Sequence, residues 1–291
     1  MNNSIGLVLA GGTGSRLFPL TKSINKHLMP VYSKPLIYYS ITTLMLAGNK
    51  EIIIITNPQD IQSFEKLFGD GSQFGIQIKY LKQDEPKGLA HGLYEAKKAT
   101  KNKNINLVLG DNIFYGRELK DYLMEAKTKS LNCLFTQDVN DPSRFGVLRR
   151  DKNNKPLEII EKPKIPPSSE AVLGLYFYEN NVFDLIENIK PSERGEIEIT
   201  SLNNLLLKNE NVHIQNIGRG INWFDAGTVE DLFEAGNFIN SIEKRQNNLI
   251  ASIEEVSYTN GWISKFEFEK IINSIEDSTY GQSLLAKYFD F

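Results

Sequence analysis

The residues best suited to chemistry stand at the start of the chain. A glycine-rich string, Leu9-Ala10-Gly11-Gly12-Thr13-Gly14-Ser15-Arg16, ends an apolar run, and Pro19, Lys26 and Pro30 follow it. The first 50 residues hold five cations (Arg16, Lys22, Lys26, Lys34 and Lys50) and no Asp or Glu. At the chain-wide frequency of 36 acids in 291 residues, roughly six acids would be expected there. Glycine lets backbone N–H groups approach an anion, and Arg and Lys neutralise its charge. The stretch therefore reads as a loop for a polyphosphate. Gly6-x-x-x-x-Gly11 has Walker-type spacing, but Gly12 stands where the lysine belongs. Gly12-x-Gly14 begins a dinucleotide fingerprint, but Leu17 replaces its third glycine.

Two carboxylates come next. Asp111 follows an apolar run at 105–109, at the edge where open α/β sheets bind ligands. A lone Asp in that place also serves as a helix cap. Asp225 follows a second apolar and aromatic run. Mg²⁺ typically takes one or two carboxylates and leaves its other positions to water and phosphate. Taken singly, Arg16 and Lys26 are surface cations, and Glu161-Lys162 is an exposed ion pair of little weight. Gln83 and Gly88 bracket a polar turn that contains Pro86. His27, His91 and His213 lack metal-ligand spacing, and no Ser/His/Asp or Cys/His nucleophile set is evident.

The elements that position these residues alternate in period. Apolar runs at 5–10, 52–56, 76–81, 105–109 and 131–137 predict strands. Between them, Ile37, Ile41, Leu44 and Met45 mark one face of a helix. A second helix is predicted to start at Pro58 with Asn57 as its cap. Two more are predicted at 88–100 and 118–129. This rhythm predicts an α/β fold with a doubly wound, mostly parallel (mixed) sheet. After Asp141-Pro142, runs at 145–149 and 157–160 predict a hairpin around Asn153-Asn154. A Pro- and Ser-rich loop at 162–169, strands at 171–178 and 212–217, and helices from 228 onward complete the reading. One interruption is expected near Asn260-Gly261. The predicted organisation is a core at 1–227, with a nucleotide-binding half at 1–137 and a sugar-phosphate-binding half inserted at 138–227. A helical extension, packed on the core, follows at 228–291.

Composition narrows the class. A hydrophobic fraction of 41% with 24% charged residues is ordinary for a globular protein. The net charge of −3 gives no support for nucleic-acid binding, and no apolar run reaches membrane-spanning length. Cys133, the single cysteine, sits in an apolar run and reads as a buried thiol in a reducing, cytoplasmic setting.

The opening string resembles the sugar-phosphate nucleotidylyltransferases, and most closely their thymidylyl-transferring members. Matching stretches follow in order: Lys34-Pro35-Leu36-Ile37-Tyr38-Tyr39, Gly88-Leu89-Ala90, Leu109-Gly110-Asp111-Asn112-Ile113-Phe114-Tyr115-Gly116, and Asp141-Pro142-Ser143-Arg144-Phe145-Gly146-Val147. Then come Glu161-Lys162-Pro163, Gly174-Leu175-Tyr176-Phe177-Tyr178, Arg194-Gly195-Glu196-Ile197-Glu198-Ile199-Thr200, and Trp223-Phe224-Asp225-Ala226-Gly227-Thr228. The resemblance implies a Rossmann-like nucleotidyltransferase fold and transfer of a nucleotidyl group from dTTP to glucose 1-phosphate. It implies Mg²⁺ held by Asp111 and Asp225, with Arg16, Lys26 and Lys162 as the catalytic cations. It places the nucleotide on Leu9, Gly11, Gly12, Gly14, Gln83 and Gly88, and the sugar phosphate on Gly146, Glu161, Lys162 and Val172. It also implies a homotetramer with neither a nucleic-acid nor a membrane partner, and a second nucleotide site near the subunit interfaces. A UTP-dependent uridylyltransferase keeps the same chemistry, and a non-catalytic sugar-nucleotide sensor keeps only the binding. The chain departs from the family at His27 (usually Gln), Phe145 (often Tyr), Leu173 and Ala226 (each usually Thr).

Overall fold

Alternation along the strands builds the sheet. In β1 (Ser4–Leu9), Ile5, Leu7 and Leu9 point into one apolar cluster while Val8 points into another. In β4 (Glu51–Thr56), Ile53 and Ile55 share the first cluster, and Ile52 and Ile54 the second. A sheet buried on both faces needs near-continuous apolar strands, which is why these runs look unalternating in sequence. The structure is a computed structural model that describes residues 4–83, 85, 87–130, 132–192, 195–246 and 248–289. Pro86, Leu131, Arg194 and Phe291, which the sequence reading used, lie outside the described residues.

In chain order, β1 leads to a short ribbon, β2 (Pro30–Val31) with β3 (Lys34–Pro35), and then α1 (Ile37–Leu46), β4, α2 (Ile61–Phe68), β5 (Gln77–Lys82), α3 (Leu89–Glu95) and β6 (Asn104–Leu109). Next come β7 (Asn112–Tyr115), α4 (Leu119–Lys129), β8 (Cys133–Asp138), β9 (Gly146–Arg150), β10 (Pro156–Glu161) and β11 (Glu170–Tyr178). The chain continues with α5 (Val182–Ile186), α6 (Ile199–Lys208), β12 (His213–Asn216), β13 (Asn222–Asp225) and the helices α7 (Val229–Gln246), α8 (Ile253–Thr259), α9 (Lys265–Asn273) and α10 (Thr279–Tyr288). No helix among the described residues is long and apolar enough to cross a membrane.

The main sheet has nine strands in the order β10-β9-β11-β6-β1-β4-β5, with β8 pairing β11 and β12 pairing β8. Pairings β1–β4, β1–β6, β4–β5 and β12–β8 are parallel, and every pairing of β11 and β10 is antiparallel. The sheet is thus mixed, with the parallel run β6-β1-β4-β5 in the first half and the parallel β12–β8 pair outside it. The second half continues the same sheet through β11 instead of standing beside it. The predicted hairpin is β9–β10, with Asn154 at φ 64 in its turn.

Two expectations are corrected. Asn57 does not cap the helix after Pro58 with its side chain, because that amide is engaged with the glycine loop. Among the described residues the C-terminal extension is broken three times, at 248–252, 260–264 and 274–278. Each new helix starts at a serine, Ser252, Ser264 or Ser278, whose hydroxyl accepts a backbone N–H of the first turn. Ser264 and Glu267 form a full capping box.

Candidate active site

The glycine loop is held from behind by a polar network. Asn57 accepts from Gly12 N at 3.3 Å and donates to Gly12 O at 3.1 Å. Asp60 Oδ2 accepts from Asn57 at 3.0 Å and from Asn25 at 2.7 Å. Asn25 in turn accepts from the backbone N and the ring Nδ1 of His27, each at 2.9 Å. This fixes the short turn that carries Lys26. Burial, and then the Lys26 charge, push the His27 imidazole down to about 3, so it stays neutral. A Cβ on Gly11 would sit 2.4 Å from Gln83 Oε1, so glycine lets the Gln83 amide come this close. Gly88, at φ +104, is wedged 2.5 Å (measured from an added Cβ) from Ile197 O.

Topology brings the two carboxylates together. Asp111 follows β6 through Gly110, and β7 pairs antiparallel with β13, so that Asp225 lies opposite Asn112. Ala226 N donates to Asp111 O at 2.9 Å and closes the ribbon. Lys26 Nζ lies 2.5 Å from Asp111 Oδ2. The Asp225 carboxylate and Arg16 Nη1 approach the same point above Gly227, at 3.4 and 3.6 Å from an added Cβ. Burial pushes Asp111 up, but the adjoining Lys26 ammonium outweighs it and holds the carboxyl below the usual range. Burial, and then the negative charge of Asp111, push Asp225 up to about 7.

This pair fits a divalent cation. A buried carboxylate raised by its neighbour is short of positive charge, and Lys26 already stands as a cation on the other one. The described residues hold no cluster of three or more His, Cys, Asp and Glu ligands. Two carboxylates with the remaining positions open suit a hard cation shared with phosphate oxygens.

Two cavities adjoin here. One, of about 340 Å³, is lined by Leu9, Gly11, Gly12, Arg16, Lys26, Gln83, Gly88, Asp111 and Lys162, among others. A smaller one, of about 140 Å³, takes Gly146, Glu161, Lys162, Val172 and Asp225. Lys162 lines both. Its backbone is left-handed (φ 44) and tied to Phe145 O at 2.9 Å, which breaks the alternation of β10 so that Glu161 and Lys162 both reach the smaller cavity. Thr200 donates to Glu161 Oε2 at 2.5 Å. The pairing of β11 with β8 shifts register between Val172 and Tyr176, a bulge beside the cavity.

Every sequence-predicted site residue lines one cavity or the other except Gly14, which starts the turn carrying Arg16. The reading missed Asn112, Arg144, Tyr176, Thr200, Asn203 and Trp223 in the smaller cavity and Glu196 in the larger. Most stand inside the strings that carry the resemblance, so their neighbourhood was the available signal. His27 lines the larger cavity. Phe145 packs on Trp223 with ring centroids 4.7 Å apart and the planes tilted by 59°, and Leu173 and Ala226 are fully buried.

Residues 5–242 match the nucleotidyl transferase family. A glucose-1-phosphate thymidylyltransferase of Neisseria gonorrhoeae is 44% identical over 281 residues, 96% of this chain and 98% of that protein. One from Mycolicibacterium smegmatis is 41% identical over 280 residues, 96% of this chain and 97% of that protein. A solved structure described as a glucose-1-phosphate thymidylyltransferase of Bacillus anthracis, in complex with a sucrose, shares 40% identity. It has a TM-score of 0.74, covering 81% of this chain and 94% of that one. A UDP-glucose pyrophosphorylase bound to UDP-glucose shares the fold at 24% identity, with a TM-score of 0.73 over 83% of this chain and 99% of that one. The chain belongs to the nucleotidyl transferase family and is an enzyme of that class.

Proposed function

We propose that the enzyme transfers a thymidylyl group from dTTP to glucose 1-phosphate and releases pyrophosphate. The observation that carries this reading is the convergence of Asp111 and Asp225 where a nucleotide-sized cavity meets a sugar-sized one, with Lys162 on their common wall.

A phosphate oxygen of the sugar phosphate attacks the α-phosphorus in line. The new O–P bond forms as the bond to the β-phosphate oxygen breaks, and pyrophosphate leaves. The attacking phosphate has a second pKa near ~6 and is already ionised at neutral pH, so no general base is needed. That suits a site whose one histidine is neutral and bound to Asn25. The difficulty is bringing two polyanions together. At ~4 Å, two unit charges repel by about 4 kcal/mol at an effective dielectric of 20. Arg16 and Lys26 neutralise the triphosphate side, and Lys162 stands between both phosphates. The glycine loop supplies backbone N–H groups. Gln83 and the Gly88 backbone meet the base edge. Glu161, oriented by Thr200, accepts sugar hydroxyls beside Gly146 and Val172. Members of this family typically use a divalent metal, and we assign Mg²⁺ to Asp111 and Asp225. When bound, it supplies Lewis-acid stabilisation of phosphoryl charge. Positioning and fixed charge then account for the rate.

We infer a homotetramer acting in the cytoplasm, where a lone buried thiol needs no oxidising compartment. The deciding experiment mixes dTTP, glucose 1-phosphate and Mg²⁺ and measures pyrophosphate and dTDP-glucose. Parallel reactions with UTP test the uridylyl reading, since one methyl group is worth only ~1–3 kcal/mol of discrimination. Product formed only from UTP, or none from either nucleotide, overturns the proposal. Asp111→Asn and Arg16→Ala should each remove most turnover while the fold survives.

A further inference from the structure

Asn112 is a buried amide that contacts one of the two carboxylates. Its side chain is buried, with the residue 2% exposed. Its Oδ1 accepts from Gly174 N at 3.1 Å and from Trp223 Nε1 at 2.7 Å. An oxygen facing two N–H donors allows the amide one orientation only. Nδ2 must then point the other way, and it donates to Asp111 Oδ1 at 2.9 Å. The opposite carboxylate oxygen, Oδ2, is the one that meets Lys26.

The anchors of this amide are specific. An added Cβ on Gly174 would lie 2.5 Å from Asn112 Oδ1 and 2.6 Å from Cγ. Any larger residue there displaces the amide, which gives the glycine in β11 a reason unrelated to turns. Trp223 lies in β13, two residues before Asp225, and Asn112 itself is the register partner of Asp225. One side chain therefore touches the first carboxylate while its backbone holds the strand of the second. Ser40 adds a hydroxyl on the Asn112 carbonyl at 3.4 Å.

We propose that Asn112 is the positioning residue of the metal centre. It locks the Asp111 carboxylate in one rotamer by engaging Oδ1, and leaves Oδ2, which meets Lys26 here, as the oxygen that a cation would use. Gly174 and Trp223 are the parts that hold the amide in register. The proposal rests on the reading of Asp111 and Asp225 as the carboxylate pair for a divalent cation. Residues that orient metal ligands typically change metal affinity by ~10–100-fold when replaced.

The test is Mn²⁺ binding to the ligand-free enzyme, read from the electron paramagnetic resonance of free Mn²⁺, so that no turnover is needed. The parent should bind, and Asp225→Asn should lose most of that binding. Asn112→Leu keeps the branched skeleton of the side chain but removes the donor, and should weaken Mn²⁺ binding ~10–100-fold. Gly174→Ala should weaken it through the displaced amide. Trp223→Phe keeps the ring and removes one anchor, so its effect should be smaller but above twofold. In turnover, the Mg²⁺ concentration for half-maximal rate should rise, and added Mg²⁺ should recover part of the lost rate. A merely structural role would lower the melting temperature and move all parameters together. Mn²⁺ affinity within twofold of the parent in a folded Asn112→Leu enzyme overturns the positioning role. If that variant does not fold, the same result in Trp223→Phe overturns it. Failure of the parent to bind, or of Asp225→Asn to weaken binding, overturns the metal reading itself.

Discussion

Two places in this molecule bury one lysine with two carboxylates, and they are built differently. At the active site these are Lys26, Asp111 and Asp225. Behind it they are Lys34, Glu243 and Glu254, where the β2–β3 ribbon meets α7, α8 and α10. In the second group Lys34 Nζ lies 2.9 Å from Glu243 Oε1, and their side chains are 2% and 6% exposed. Glu243 also accepts from Ile250 N at 2.8 Å. Glu254 accepts from the Tyr280 and Ser252 hydroxyls, and the Tyr280 ring lies 5.1 Å from the ammonium. Every carboxylate there has donors from the protein. At the active site, no hydrogen-bond donor among the described residues reaches the Asp225 carboxylate, and it lines a cavity. The same charges are closed in one place and open in the other. A fold tolerates buried charge by surrounding it with donors, and it reserves a ligand position by leaving donors out.

The largest expected effect tests the open group. Asp225→Asn should lower turnover on the order of 10³-fold, about 4 kcal/mol of barrier. In the same variant the ligand-free protein should unfold at higher urea, because one of two mutually repelling buried carboxylates is gone. Pyrophosphate-release kinetics and urea unfolding measure both. A loss of stability together with activity would mean that Asp225 is paired after all, and the contrast would fail.

The closed group should behave in the opposite way. Lys34→Met leaves Glu243 buried without its ion partner and should destabilise the fold by about 3–5 kcal/mol. Turnover per folded molecule should stay close to the parent's. Lys34→Met combined with Glu243→Leu should recover much of the loss, since no uncompensated charge remains. A single variant as stable as the parent would show that this ion pair does not hold the extension to the core.

The open group was far easier to read in the sequence than the closed one. Gly11, Gly12, Arg16 and Lys26 announce themselves by type and by an acid-free neighbourhood, and Asp111 by its place after an apolar strand. Lys34 pairs with a residue 209 positions away, and nothing local marks either partner. Asn112 lies inside a quoted string, yet its role depends on Gly174 and Trp223, 62 and 111 positions away. Only the β7–β13 ribbon and the passage of β11 bring them together. Asn57 failed as a cap because the glycine loop competes for its amide. The sequence reading places one break in the C-terminal helices, near Asn260-Gly261, where three stand, although Ser264 and Glu267 have capping-box spacing. Local chemistry is visible in sequence. Closure over long separations is decided by topology.

A subtler effect sharpens the closed side of the contrast. Burial raises the Glu254 carboxyl above its ordinary value, against the donors from Tyr280 and Ser252. A native value above the unfolded one means that the folded state binds the extra proton. The stability from that proton is complete below the unfolded value of about 4.5 and is lost as pH rises through the folded value. Glu254→Gln keeps an acceptor for Tyr280 and removes the titration. The variant should match the parent near pH 4 and gain on it as pH rises above the unfolded value, until the folded carboxyl ionises, as followed by urea midpoints. A gap that does not widen with pH would place the Glu254 charge outside the stability balance.

The smallest effect concerns a buried ionisable group with neither an ion partner nor a cavity. Cys133 starts β8, fully buried between the sheet and its helices, and burial pushes its thiol up to about 12. Reactivity follows the thiolate, and at pH 8 a thiol with that value is almost wholly protonated. Ellman's reagent should therefore leave Cys133 unmodified in the native protein and titrate one thiol per chain in denaturant. Cys133→Ala should remove one sulfur from a packed site and leave turnover unchanged. Rapid native labelling would mean that β8 opens readily. Strand β11, which carries Val172 and pairs with β8, would then lose part of its support, although it forms one wall of the smaller cavity, and the rigid frame assumed for the open carboxylates would no longer hold.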